Sequence, residues 1–385
     1  MGKKRRLVGG LLGTLALVVG TLATSTTAGA SAAPRTYTIG VDNANPSGGH
    51  NFEYVDYFPR GQVLATDPQA VVSNGAVLHF HYLGGSDGLH TATLIPAAES
   101  PQHAWSRLPF VTFDGDSGEA HPILNPAAAF PPQGCGTADN PCTYSGTDTV
   151  NSGALPAFGG TDFFAKIDLA TSAPTTINYL CLIHPGMHGS VLVVPGTGSS
   201  PSAFADNAAS QYVADTADAL NAEAAATAAA QNGNFVVAGT ATQFVEVAEM
   251  LPQAFTVQAG QKVTWNTLTI HDPHTVTFPR SPGSDAVDPL TPPYAPAECE
   301  GTPDTPLAGP PPSFGCSTFP ELGINPAPNG VTTIADATTV ATSGIISSPP
   351  SGFPSSFTFS FPNPGTYLYQ CRIHDHMVGT IVVAG

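Results

Sequence analysis

The same cysteine-centred motif occurs twice in this chain, and the repeat limits the fold more than any other feature. The segment YLCLIHPGM at 179–187 matches YQCRIHDHM at 369–377 in register, and a strand-like apolar run follows each copy. A histidine in a second shared pattern lies 91 and 97 residues before the two cysteines, at His90 (HTATLIP) and His274 (HTVTFP). The chain is therefore interpreted as a tandem duplication.

Alternating patterns around these motifs predict short strands. The runs AVLHFHY at 76–82 and QKVTWN at 261–266 each follow a glycine, and a period of two is typical of a half-buried strand after a turn. With 40 Gly and 38 Pro in 385 residues and no pattern of helices alternating with strands, the sequence predicts antiparallel sandwiches. The fold class is all-β, with domains at 36–196 and 235–385.

A different composition separates the two domains. Residues 197–234 begin with GTGSSP, continue as an alanine-rich run from Ser202 to Gln231, and stop at Asn232-Gly233. This pattern predicts a helical linker about 45 Å long. We interpret it as a spacer that docks one apolar stripe on a neighbouring domain; a dedicated partner-binding helix is the alternative. A straight linker would argue against close contact between the two repeated motifs.

The N-terminus has the pattern of an export signal. Four basic residues precede an apolar run at 7–23, and a small-residue cleavage site ends at Ala32, so 1–32 is predicted to be removed. A retained membrane anchor is the alternative, but 17 residues with four glycines make a poor spanning helix. We therefore predict a secreted or extracytoplasmic protein without a stable membrane span after cleavage.

The net charge excludes one class of partner. The whole chain carries 11 Lys and Arg against 28 Asp and Glu, for a net charge of −17. Removal of the signal takes away four basic and no acidic residues, which leaves the mature chain near −21. Nucleic acid is therefore not expected as a partner, because phosphate binding needs basic patches.

Each half of the repeat supplies one thiolate, two imidazoles and one thioether. A trigonal set of one Cys and two His with a long axial Met is the blue-copper arrangement. The Cys ends a strand and its loop turns back, so that the following His and Met face the same point. We predict two type 1 copper ions, one per half, with the ligands His90, Cys181, His184 and Met187 and the ligands His274, Cys371, His374 and Met377.

Both halves resemble cupredoxins. The loop CLIHPGM at 181–187 resembles the short ligand loop of amicyanin, and VTWN at 263–266 with PHTVTF at 273–278 resembles the amicyanin and plastocyanin segment that holds the first His. The resemblance covers roughly 36–96 and 160–196 in the first half, and 235–280 and 355–385 in the second. It implies two Greek-key β-sandwiches and the same four copper ligands in each.

The other four cysteines lie in stretches that the resemblance does not cover. Cys135 and Cys142 are close together, and Cys299 and Cys316 flank a proline-rich loop. One local disulfide per half is the simplest partition in an oxidising compartment, and it leaves Cys181 and Cys371 free for metal. Redox-active thiols are the alternative, but neither pair has the Cys-x-x-Cys spacing.

Three further interpretations stay open. A catalytic type 2 copper held by His79, His81 and other residues would make the chain a copper oxidase or a nitrite-reductase-like enzyme, although the His-Cys-His element of multicopper oxidases is missing from both halves. Zinc would suit thiolate and imidazole, but Met is a poor zinc ligand. An extracytoplasmic copper-handling protein would exchange metal with a donor.

The favoured prediction is one-electron transfer between extracytoplasmic redox proteins, in which the chain is a carrier rather than an enzyme. In such a carrier, His184 and His374 are expected to form the electron exit through an apolar surface.

Overall fold

The computed structural model describes residues 34–43, 49–84, 89–114, 121–131, 134–155, 160–280, 332–349, 353–374 and 376–385. The predicted export signal and the predicted Cys299–Cys316 pair lie outside these residues and stay predictions.

Strands dominate the first half, with two short helices inserted between them. Within the described residues the elements are β1 (Thr36–Val41), β2 (Phe52–Tyr54), β3 (Tyr57–Phe58), β4 (Val71–Ser73), β5 (Val77–Tyr82), β6 (Thr93–Leu94), α1 (Pro101–Arg107), β7 (Val111–Asp114), β8 (His121–Leu124), α2 (Pro126–Ala129), β9 (Cys142–Tyr144), β10 (Val150–Asn151), β11 (Asp162–Ile167), β12 (Thr175–Leu180) and β13 (His188–Val194).

One long helix precedes the strands of the second half. The elements of this part are α3 (Pro201–Gly233), β14 (Val236–Ala241), β15 (Val245–Leu251), β16 (Ala254–Gln258), β17 (Lys262–Leu268), β18 (Thr277–Phe278), β19 (Ala341–Thr342), β20 (Ser356–Ser360), β21 (Gly365–Gln370) and β22 (Val378–Ala384).

The strands form two sandwiches, as predicted. The described residues contain four five-stranded sheets, with the strand orders β3-β1-β5-β11-β9, β10-β6-β12-β13-β4, β2-β15-β14-β17-β20 and β16-β22-β21-β18-β19, beside the small β7-β8 hairpin. The first two sheets enclose one apolar core and the last two enclose another. Alternation in β5 and β17 directs every second side chain into these cores.

The sheets are mixed rather than purely antiparallel, which corrects the expectation from the sequence. Strands β1 and β5 run parallel in the first half, and β14 and β17 run parallel at the matching place in the second. Parallel neighbours need a long crossover connection, and here the chain visits other strands between β1 and β5.

Strand β2 belongs to the first half in sequence but to the second half in its hydrogen bonding. It pairs antiparallel with β15, and Glu53 lies directly opposite Glu246. Directly opposite residues project from the same face of a sheet. Because β2 pairs with a strand of the second half, one face of that sheet carries a carboxylate from each half of the chain.

The helix α3 confirms the predicted linker and packs against both sandwiches. The Ser200 hydroxyl accepts a hydrogen bond from the Ala203 amide at 3.1 Å at its start, and Asn234 ends it in the left-handed conformation. Phe204 packs on Tyr37 of the first core, while Ala226 is buried beside strands of the second half. The linker thus holds the sandwiches together instead of spacing them apart.

The described residues contain no helix that is long and apolar enough to cross a membrane.

One of the two predicted disulfides lies within the described residues. Cys135 and Cys142 are joined, which ties the loop before β9 to that strand. Cys181 and Cys371 are free and buried, as the predicted partition requires.

Candidate metal centres

The first cluster lies where β12 turns into β13. Cys181 directly follows β12, and its amide donates to the Met187 carbonyl oxygen at 3.0 Å, which closes the loop. His90 reaches the same point from the segment before β6, where it forms an isolated bridge with Leu155. Nδ1 of His90 lies 3.1 Å from Nδ1 of His184, and the latter atom lies 3.7 Å from the Cys181 Sγ.

The second cluster repeats this geometry between β21 and β22. The Cys371 amide donates to the Met377 carbonyl oxygen at 2.8 Å. Nδ1 of His274 lies 3.1 Å from Nδ1 of His374, which lies 3.7 Å from the Cys371 Sγ. The repeated motif in the sequence is therefore a repeated site in space.

The donor atoms in each cluster fit a single metal ion. In each cluster the two imidazole nitrogens and the sulfur lie within 4.8 Å of one another, as the ligands of one shared ion do. In the first cluster His90 and Cys181 are fully buried and His184 is 7% exposed. In the second cluster His274 and Cys371 are fully buried and His374 is 3% exposed. Met187 and Met377 are buried in the same apolar cores as Cys181 and Cys371, which agrees with a weak axial role.

Backbone amides hold both sulfur atoms. Thr91 and Ile183 direct their amides at the Cys181 Sγ, both at 3.4 Å. Thr275 and Ile373 do the same for the Cys371 Sγ at 3.4 and 3.3 Å. Two donated hydrogen bonds stabilise a thiolate and fix its direction.

The threonine after the first histidine ties that segment to the cysteine loop. The Thr91 hydroxyl accepts a hydrogen bond from the Leu182 amide at 2.8 Å, and the Thr275 hydroxyl accepts one from the Arg372 amide at the same distance. These hydrogen bonds fix the segment that carries the first histidine relative to the cysteine loop.

The two thiols are strongly acidic in this environment. Burial raises the pKa of Cys181 and of Cys371, but hydrogen bonds and charge from the adjacent histidines outweigh burial and hold both pKa values well below the usual range. A thiolate is the form that binds metal. Each site therefore presents its sulfur ready to bind.

Every histidine of the clusters turns its second nitrogen towards a carboxylate. Within one half, Nε2 of His90 lies 3.4 Å from the Asp42 Oδ2, and Nε2 of His274 lies 3.1 Å from the Glu246 Oε1. A carboxylate on the far nitrogen orients the ring and increases its basicity as a ligand.

The other two carboxylates come from the opposite half or from the exchanged strand. Nε2 of His184 lies 3.4 Å from the Asp272 Oδ1, although Asp272 belongs to the second half. Nε2 of His374 lies 3.8 Å from the Glu53 Oε2, on β2. The Glu53 Oε1 also lies 4.0 Å from Nε2 of His184, so the two clusters face each other across Glu53.

This arrangement overturns the prediction that His184 and His374 emerge at an apolar surface. Both rings are buried at the contact between the sandwiches and face acidic groups. The pKa of Glu53 is raised to about 8, because burial and the nearby Asp272 outweigh the three neighbouring histidines. A straight linker would argue against close contact between the two motifs, but α3 packs against both halves and the two clusters face each other across Glu53.

The chain's matches to known proteins are all to solved structures. No protein-family model and no curated protein matches it. Among solved structures it is similar to the plastocyanin of the fern Dryopteris crassirhizoma, with 20% identity over 39% of this chain and 98% of that chain and a TM-score of 0.19. Auracyanin from Roseiflexus castenholzii has 21% identity over 36% of this chain and 88% of that chain, with a TM-score of 0.18.

A two-domain structure matches over more of the chain. The copper-containing nitrite reductase from Thermus scotoductus SA-01 has 11% identity over 91% of this chain and 68% of that chain, with a TM-score of 0.23. In this chain, each domain consists of two five-stranded sheets around an apolar core and holds one His-Cys-His cluster. Both domains are cupredoxin-like.

Sequence reasoning named the two His and one Cys that the structure brings together in each cupredoxin-like domain, but it missed all four carboxylates. Asp42, Glu53 and Glu246 lie far from the ligand motifs in sequence and have no recognisable pattern around them. Asp272 carries a weak signal, because it stands two residues before His274. Only its contact across the domain boundary shows that it serves the other site.

Proposed function

We propose that this chain is an exported one-electron carrier that holds one type 1 copper in each cupredoxin-like domain. The observation that carries the proposal is the duplicated cluster, in which one sulfur and two Nδ1 atoms converge beside a buried methionine. The residues that would hold the ions are the predicted ligands His90, Cys181, His184, Met187, His274, Cys371, His374 and Met377. Copper in such a site supplies a Cu(II)/Cu(I) couple.

The chain's own residues prepare the sites for that couple. Amides of the cysteine loops keep both sulfurs in place, and the threonines after the first histidines join the two ligand segments. Burial excludes water, and the packed cores resist rearrangement. A frame that does not move between oxidation states favours fast electron transfer.

The partners of the carrier follow from charge and compartment. We propose extracytoplasmic redox proteins or copper donors as partners, consistent with the predicted export signal and the predicted mature charge near −21. Since both loop histidines are buried, we expect a partner to dock on another part of the surface.

Metal analysis with visible spectroscopy tests the proposal. Copper-loaded protein should contain two type 1 ions and show an intense sulfur-to-copper band, and Cys181→Ser or Cys371→Ser should each remove about half of it. The double variant Cys135→Ser/Cys142→Ser is the matched control and should keep the full band, because those sulfurs form a disulfide. A colourless copper-loaded protein would rule the proposal out.

A further inference from the structure

Two histidines on the outer face of the first domain lie apart from the clusters described above. His79 and His81 alternate along β5, so both project from the same side of the sheet, opposite to Leu78 and Phe80 in the core. Strand β11 pairs with β5 and sets Asp162 directly opposite His81. Two imidazoles and one carboxylate therefore share one patch of the sheet.

The three side chains converge on one point. The Asp162 Oδ1 lies 2.6 Å from Nε2 of His79 and 2.7 Å from Nδ1 of His81. The exposed fractions of the side chains are 42% for Asp162, 20% for His79 and 37% for His81, so the point is open to solvent.

Neighbouring residues hold the His79 ring in this position. Its other nitrogen, Nδ1, lies 3.3 Å from the Thr38 hydroxyl on β1. Its ring stacks on Phe164 with 4.2 Å between centroids and 4° between planes. A ring that is held at one nitrogen and along one face presents its second nitrogen in a fixed direction.

The second domain shows that the fold itself does not require these residues. The matching register on β17 and β20 places Asn266 opposite Ser356 and Thr264 opposite Thr358. Hence Asn266 takes the place of His81, Ser356 that of Asp162, and Thr264 that of His79. The same sheet forms there without a single metal-binding side chain at these three positions.

We propose that His79, His81 and Asp162 form a third metal site, which takes a divalent ion of the Cu²⁺ or Zn²⁺ class. Two imidazoles and a carboxylate suit both ions, and three protein ligands at an exposed point leave positions for water or an exogenous anion. The site contains no sulfur, so copper bound there has no sulfur-to-copper band. It shares no ligand with the His-Cys-His clusters and stands independently of the proposed function.

Copper titration of the full mature chain, followed by electron paramagnetic resonance and metal analysis, tests this site. The variant is His81→Asn/Asp162→Ser, which inserts the residues that the second domain carries at the same register. Wild-type protein should retain one more Cu²⁺ per chain than the variant, with a type 2 signal from nitrogen and oxygen ligands. We expect the variant to bind that ion at least about 100-fold more weakly, because two of three ligands are gone.

A matched control comes from another exposed histidine with a carboxylate partner. Nδ1 of His103 lies 2.7 Å from the Glu99 Oε1, and in the described part of the chain no second imidazole joins this pair, so His103→Asn should leave the type 2 signal intact. Circular dichroism checks that all variants fold, and His79→Thr provides a second disruption with the second domain's residue. Equal Cu²⁺ retention by wild type and by both folded variants would overturn the proposal. Loss of blue colour with a retained type 2 signal would instead reject the proposed function and leave this site standing.

Discussion

The Asp272 carboxylate of the second domain lies 3.4 Å from Nε2 of His184, a predicted ligand of the first domain's site. Asp272 also stands two residues before His274, a predicted ligand of the second site. One short segment therefore supports both centres. Glu53 lies close to both His184 and His374. Side chains at the contact between the domains therefore belong to the surroundings of both sites.

A change in the second domain should therefore weaken metal binding in the first. Asp272→Asn removes the charge behind His184, and loss of such a partner lowers metal affinity by about 10- to 100-fold. The measurement is a copper titration in the Cys371→Ser background, where only the first site gives the sulfur-to-copper band. Asp168→Asn removes an exposed carboxylate after β11 and should leave the affinity unchanged. An unaltered titration for Asp272→Asn would show that the cross-domain contact has no effect on the ligand.

The second site should require glycine at position 239, because the His274 imidazole leaves no room there for a Cβ. It has a φ of +77°, and a Cβ placed there would collide with the His274 imidazole. We expect Gly239→Ala to abolish blue colour from the second site and to leave the first site's band. Gly260→Ala is the control, since Gly260 has a φ of +86° but nothing within 4 Å of an added Cβ. In both variants a residue with a side chain adopts the left-handed backbone conformation, which lowers stability by about 1–2 kcal/mol. A difference in copper content between the two variants therefore reports the collision with His274.

Arg60 should strongly stabilise the contact of α3 with the two domains. Its side chain is 6% exposed, bonds to Asp56, Asp67 and the helix residue Asp215, and lies 3.6 Å from the ring centroid of Phe244 in the second half. Arg60→Met would leave three carboxylates without their cation, so we expect a loss of about 3–5 kcal/mol in the free energy of unfolding.

Urea denaturation measures this loss against a surface pair. Arg107 is 40% exposed and bonds to Glu99, so Arg107→Met should cost less than about 1 kcal/mol. Equal losses for the two variants would contradict the assigned role of Arg60.

The Cys135–Cys142 disulfide should stabilise the first domain without affecting the metal sites. The bond closes a short loop, with a sequence separation of 7, and for such a loop the entropy effect is about 2 kcal/mol. Cys135→Ala/Cys142→Ala should lower the unfolding free energy by that amount and keep both copper bands. Denaturation of wild type with and without reductant checks the same quantity; no change on reduction would mean that the disulfide contributes nothing to stability.

The His and Cys residues of the two clusters were predictable because their signal is local and repeated. Cys181, His184 and Met187 share one loop, and the period-two pattern of β5 and β17 shows which side chains enter the cores. The capped, alanine-rich run likewise predicted α3 to within two residues at either end. Local spacing and periodicity are properties of the chain itself, so no tertiary contact is needed to detect them.

The repeated motif, the period-two runs and the capped alanine-rich run were thus enough to predict two all-β domains, the helix between them, and the His and Cys residues that each cluster brings together. Packing between the domains, in contrast, sets the pairing of β2 with the other domain's sheet, the contact of α3 with both halves, and the placement of the two clusters across Glu53. The pairing of Glu53 with Glu246 and the contact of Asp272 with His184 join residues 193 and 88 positions apart. Such contacts depend on how the two folded sandwiches pack against each other, and that packing leaves no periodic pattern in the sequence.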